Sequence, residues 1–315
     1  MNPNSRDWRK RFPLFFGLAT LPKTCIVRPF AMDSPNKEKD DCQSRRLLWF
    51  LRWLVVIQCA GYAAKLSTPS SLNSMLLESL GDGIVSGVDA WAAIILWIAV
   101  LALPTLGILR PTGTIGCSWP SRCETLLLCF VAAWTLGEAF FSWRANPGNP
   151  FHATDPYGHA VRYLAPIALL LVWQKKSLNL RLEWGLRLAV AGTFIGHGLN
   201  CWWLKPNFID LILGSMDTFF GENWEAAEER ELFAKAVLPW IAIQDFILSG
   251  LILLPKRLRW VALWMAIWGV VTALSRMTAF GWERWHDLFI RICNGGIPLL
   301  LWFHWRSLFN NRTQK

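Results

Sequence analysis

Residues 186–203, Leu-Arg-Leu-Ala-Val-Ala-Gly-Thr-Phe-Ile-Gly-His-Gly-Leu-Asn-Cys-Trp-Trp, make an apolar run about long enough to cross a bilayer as a helix, yet they hold an imidazole well inside it. On helical spacing Thr193, His197, Asn200 and Cys201 fall on one stripe, and a polar stripe on a membrane helix should face protein or trapped water. Gly192 and Gly196 stand four apart, the small-xxx-small spacing that lets a second helix approach closely, and Gly198 thins the wall beside the histidine. His197 therefore has two readings: an interhelical hydrogen bonder in a tight bundle, or a group that meets a ligand.

Such runs recur. The chain is 53% hydrophobic with more tryptophan (21) than tyrosine (3), and its apolar blocks of about twenty residues mark an all-α, polytopic membrane protein. The net charge of +10 is carried between the blocks and in the tails, where the positive-inside rule places it, and so argues for membrane topology and against nucleic acid. Eight cysteines show no Cys-x-x-Cys pair and no zinc spacing, so no metal site is expected, and Cys117 and Cys123 read as reduced thiols of a cytosolic loop.

Residues 1–46 form a basic tail, read as disordered, with one short apolar run at 14–21 that lacks the length of a span and the cleavage site of a signal peptide. Met32-Asp-Ser-Pro would also serve as a start. The blocks then read as 47–64, 91–109, 123–143, 159–173, 186–204, 237–254, 260–280 and 288–305, about eight helices, before a tail at 306–315. Arg110 and Arg122, then Lys175, Lys176 and Arg181, then Lys256, Arg257 and Arg259, share a side with both tails if every block spans. The other side collects Glu78, Asp82 and Asp89 in one loop, and Asp210, Asp217, Glu222, Glu225, Glu228, Glu229 and Glu231 in a second. Both termini are thus expected in the cytoplasm.

Two tandem four-helix units, 47–176 and 182–305, organise these blocks. Trp49-x-Leu51-Arg52 before Gly61-Tyr62 matches Trp184-x-Leu186-Arg187 before Gly196-His197 without a gap. Trp97-Ile98-Ala99-Val100 likewise matches Trp240-Ile241-Ala242-Ile243, Ala132-Ala133-Trp134 matches Ala266-Ile267-Trp268, and 169–173 matches 299–303. An even number of spans per unit makes the copies parallel, although apolar helices also match one another by composition alone. Tyr62 and Lys65 stand where the second copy has His197 and Asn200.

The second unit resembles the DoxX-like family on three features: the helix 187–198 with its His197-Gly198 pair, the string Ser249-Gly250-Leu251-Ile252-Leu253-Leu254 before Lys256-Arg257-Leu258-Arg259, and the restart at Trp260. That resemblance covers residues 182–305 and is fainter in the first half. It implies a four-helix bacterial inner-membrane fold, with redox company, since some members are named as subunits of quinol oxidase or thiosulfate:quinone oxidoreductase systems. The acidic loop before Val237 and the doubling of the unit depart from the family's compact form.

Glu138, His159, Arg162, His197, Asn200, Asp245 and Arg276 are the candidate ligand-binding residues, with His286, Asp287 and Arg291 as further polar groups at span ends. Asp245 is expected to pair with His197 or Arg276, Glu138 with Arg162 and His159, and Asp287 with Arg291 one turn on; each could equally be a packing salt bridge. Haem between two histidines is disfavoured because His159 and His286 start their helices and lie shallower than His197. Quinone needs donors such as His197 or Arg276 and tryptophan walls, although Trp202, Trp203, Trp282 and Trp285 also suit an interfacial belt. A proton or solute path through Asp245, His197 and Glu138 is the other functional reading, and an assembly partner of other membrane subunits a third. No nucleophile elbow or phosphate loop occurs, and the residues leave open whether the chain is an enzyme.

Overall fold

A computed structural model describes residues 35–80, 82–109, 119–175, 178–221 and 226–313. The tail before residue 35, Arg110, Cys117, Lys176, Glu222 and Glu225 lie outside these. The helix packing lies within the unit 42–315.

Among the described residues the regular structure is entirely helical. The α-helices are α1 (Pro35–Lys65), α2 (Ser71–Leu80), α3 (Asp82–Leu109), α4 (Trp119–Ala145), α5 (Pro150–Ala153), α6 (Asp155–Gly158), α7 (Ala160–Lys175), α8 (Leu180–Trp202), α9 (Pro206–Phe220), α10 (Ala227–Ile252), α11 (Arg259–Phe280), α12 (Trp285–Ile290) and α13 (Ile292–Thr313). Each of the eight apolar blocks falls on a long helix: α1, α3, α4, α7, α8, α10, α11 and α13. Five of these, in α1, α3, α4, α10 and α11, are long and apolar enough to cross a membrane. Their outward faces are apolar, with Trp91, Ile98 and Leu101 on α3 and Trp240 and Ile247 on α10 exposed, while Arg52, Glu124, Arg162, Glu183, Arg187 and Asp245 are buried. Apolar outside and charged inside reverses the order of a water-soluble protein, and the chain is a multi-pass all-α membrane protein.

The blocks at 159–173 and 288–305 differ from simple spans. Each helix is broken at its entry, at His159 between α6 and α7 and at Arg291 between α12 and α13. At both breaks the backbone leaves the α-helical pattern, with φ −104° and ψ 10° at His159 and φ −98° and ψ 3° at Arg291. The breaks put short helices where glycines admit them. A Cβ on Gly61 of α1 would stand 2.6 Å from Ile290 N, and one on Gly196 of α8 would stand 2.6 Å from the Gly158 Cα, so each half sends its broken helix against the first helix of the other.

The order of a long helix, a short one, two long ones, short entry pieces and a last long helix occurs in both halves. The two Trp-x-Leu-Arg strings also behave alike, with Arg52 lying 5.1 Å over the Trp49 ring and Arg187 4.7 Å over Trp184. Arg52 also reaches buried Glu124 of α4. One apolar core runs through both halves, from Leu51, Leu96 and Leu128 to Leu186, Met265 and Leu301, with two smaller clusters, around Leu238 and around Met277, confined to the second half.

The segments after α1 and α8, which sequence reading leaves as loops, are the short helices α2 and α9. Pro206 opens α9 and Gly221 closes it at φ 89°, a left-handed conformation suited to glycine. α9 packs on α11 with Gly214 against Ala279, and the Ser215 and Thr278 hydroxyls bond at 2.8 Å. Helix α13 continues through the expected tail to Thr313.

Candidate functional site

The polar stripe of α8 faces protein, as its spacing requires. The Thr193 hydroxyl accepts from Val161 N at 3.3 Å, and Asn200 Nδ2 donates to Thr154 Oγ1 at 3.0 Å, so the two polar residues bracket the break at His159. His197 lies between them, its ring set edge-on to Phe208 of α9 at 6.2 Å. Asn200 Oδ1 is buried and without a hydrogen-bond partner among the described residues.

Around His197 the structure gathers charge from both halves. The ionisable groups acting on it are Arg162, Arg276, Arg291 and Lys205, and those acting on His159 are Arg162, Arg291, His197 and Lys65. Lys65 in turn feels Arg291, Glu138, Asp287 and Arg162, and Lys205 feels Asp155. Five cations, Lys65, Arg162, Lys205, Arg276 and Arg291, thus share one region with four carboxylates, Glu138, Asp89, Asp155 and Asp287. One positive charge is left over before either histidine is counted.

Local bonds account for part of this set. Asp287 Oδ1 accepts from Arg291 Nη1 at 2.7 Å, the expected one-turn pair; burial alone would raise the Asp287 carboxyl, but Arg291 outweighs it and holds it below its ordinary range. Among the described residues Arg276 donates back to its own helix, from Nη1 to Thr272 O at 3.0 Å. Burial lowers the Lys205 ammonium, which lies 5.8 Å over the Phe151 ring in the turn before α9. Asp155 accepts from Ser142 Oγ at 2.6 Å and stands 3.0 Å from His152 Nδ1. Ser142 and Asp155 meet the same ring nitrogen of His152, so this trio lacks the relay geometry of a hydrolase.

Arg162 is the exception. It is 4% exposed, sits beside the Tyr62 hydroxyl, and its Nε has no hydrogen-bond partner among the described residues. A guanidinium offers five donors in a fixed fork, and no carboxylate pairs with this one among the described residues. Access is graded around it: the side chains of His159 and Arg291 keep 25% and 18% of their surface.

Two of the expected pairings are replaced. Asp245 does not meet His197 or Arg276: its Oδ1 accepts from Trp268 Nε1 at 3.1 Å and its backbone oxygen from Ser249 Oγ at 2.7 Å. The indole of the next helix is simply nearer than any cation. Glu138 accepts from Ser71 N at 3.4 Å at the start of α2 and faces Lys65. Of the residues singled out from the sequence, Glu138, His159, Arg162, His197, Asn200 and Arg276 come together in this region, while Asp245 bonds the Trp268 indole. Lys65, Lys205, Asp155 and Tyr62 were missed as members; Lys65 was visible only as a charge opposite Asn200 in the aligned halves.

A second polar centre lies where α8 begins, one turn ahead of its apolar run. Glu183 accepts from Arg187 Nη2 at 2.6 Å, Arg257 Nη2 at 2.8 Å, Arg257 Nε at 3.0 Å and Trp305 Nε1 at 2.9 Å, with His304 Nε2 at 3.6 Å. Burial alone would raise this carboxyl, but the bonds from His304, Arg257 and Arg187 outweigh it and hold it well below the ordinary carboxylate range. One side chain thereby ties α8, the link into α11 and α13.

No family model, no curated protein and no solved structure matches the chain.

Proposed function

We propose that the chain is a multi-pass membrane protein, built of two tandem DoxX-like four-helix units, that binds a lipophilic small molecule by an electron-rich or anionic oxygen head group. The site is the cation-rich region of Arg162, Arg276, Arg291, Lys65, His159 and His197. A quinone or quinol is the leading class, as the DoxX-like resemblance implies, and it gives the protein a redox-associated role in an inner membrane with both termini cytoplasmic. The observation that carries the reading is Arg162, a buried guanidinium with an unused Nε amid an excess of positive charge. A charge in such surroundings is expensive unless something compensates it, and an acceptor oxygen would do so. Discontinuous helices supply more of the same, since the N-termini of α7 and α13 carry partial positive charge beside His159 and Arg291.

The test is mass spectrometry of organic extracts of the purified protein, with absorbance spectra before and after dithionite. A quinone or another oxygen-headed lipophile retained by the wild type and lost in Arg162→Met supports the reading. Bulk phospholipid alone, identical in both proteins, overturns it.

A second reading is transport of a small anion, favoured by the reciprocal seating of α6 on α8 and α12 on α1, an arrangement in which one half can rock against the other. Anion uptake into proteoliposomes that depends on Arg162 would select it.

A further inference from the structure

A crevice of about 390 Å³ opens between the start of α8, the link 255–259 and the end of α13, at the opposite end of α8 from Asn200 and sharing no residue with the His197 region. Its charged lining is Glu183, Arg187, Lys256, Arg257 and Arg259. Glu183 is already matched by Arg187 and Arg257, which leaves Lys256 and Arg259 as positive charges without a carboxylate partner among the described residues. The walls are aromatic: Arg187 lies 4.6 Å over the Trp305 ring, and Arg259 lies 4.7 Å over Phe309 and 5.4 Å over Trp260. Arg187, 1% exposed, is among the lining residues and keeps a buried Nε without a hydrogen-bond partner among the described residues.

From these observations we infer that the crevice is a binding site for the phosphate head group of an anionic phospholipid. The phosphate sits against Lys256 and Arg259, where the ends of α10 and α11 reach the membrane surface. A basic pocket between membrane helices at this level is the arrangement that selects phosphate-bearing lipids. The rim distinguishes a lipid from a free phosphate. Leu180, Leu254 and Trp260 stand exposed beside the crevice at 59%, 42% and 66%, a strip along which acyl chains run while the head group is held. The same residues would gain nothing from a soluble anion.

The experiment is native mass spectrometry of the full chain in detergent with added phosphatidylglycerol or phosphatidylcholine, comparing wild type with Lys256→Gln/Arg259→Gln. Each basic residue at a membrane surface contributes about fivefold in affinity, so the double variant should bind phosphatidylglycerol about twenty-fivefold more weakly. Phosphatidylcholine, whose choline cation opposes its phosphate, should bind the wild type more weakly than phosphatidylglycerol and lose less in the double variant, and an unchanged melting temperature reports that the variant is folded. Lys256→Arg should bind like the wild type. Equal phosphatidylglycerol binding by wild type and double variant overturns the site. Displacement of the lipid by an equal concentration of inorganic phosphate overturns the lipid in favour of a free anion.

Discussion

Gly196 on α8 and Gly158 on α6 touch backbone to backbone: a Cβ on Gly196 would lie 2.6 Å from the Gly158 Cα and 3.1 Å from its nitrogen. No side chain is available to yield, so Gly196→Ala must push the two helices apart. The expected loss is about 1–3 kcal/mol, read as a lower melting temperature in detergent. Because Thr154 and His159 flank Gly158, the displacement should also break the Asn200 bond to Thr154. Gly185→Ala is the control, since a Cβ there meets nothing within 4 Å, and it should melt like the wild type.

Glu183→Gln should destabilise far more. It leaves the Arg187 guanidinium, 1% exposed, without its carboxylate, and breaking one partner of a buried pair costs about 3–5 kcal/mol. Replacing both residues together, Glu183→Gln with Arg187→Leu, should recover part of that loss, which a double-mutant cycle would show. The same pair sets a pH dependence. The folded carboxyl is held below its unfolded value, so its contribution is complete above the ordinary carboxylate range and is lost as the pH falls through it. Melting temperatures measured downward from neutral pH should therefore drop more steeply for the wild type than for Glu183→Gln.

What the sequence discloses here depends on the range of the interaction. The eight long helices follow from apolar length alone, and α9 could have been read from its local marks, Pro206 at the start and Gly221 at the end. The break at His159 has such marks in Pro150, Pro156 and Gly158, whereas the break at Arg291 has neither proline nor glycine within 285–292 and shows only in the close approach of Ile290 to the distant Gly61. His197 was conspicuous as an imidazole in an apolar run, whereas Glu183 lay just outside that run and looked like link. Asp245 was legible as a buried acid but its partner was not, since Trp268 reads as one more apolar residue until its Nε1 is seen to donate.

That bond makes Asp245 a structural residue with a definite behaviour. Asp245→Asn keeps an Oδ1 acceptor for the Trp268 indole and should leave both stability and retained small molecules unchanged. Trp268→Phe leaves the carboxyl buried with no donor to its side chain and should destabilise by about 1–3 kcal/mol, more than its lost ring area explains. If Asp245→Asn instead emptied the protein of its small molecule, the acid would belong to the binding site after all.

Arg162 should show the opposite sign. Its guanidinium is 4% exposed and its Nε unpartnered, and it shares its surroundings with Lys65, Arg276 and Arg291. In the ligand-free protein this charge is repelled by its neighbours, so an apolar side chain of similar length is better tolerated than the native residue. Arg162→Met should therefore raise the melting temperature of ligand-free protein by a few degrees. It should also abolish the added stability that a quinone or other oxygen-headed lipophile gives the wild type. Such a trade is expected where a charge is kept for binding and not for folding. A variant that melts lower than the wild type and still gains stability from the ligand would mean that Arg162 holds the fold and that the head group is bound elsewhere.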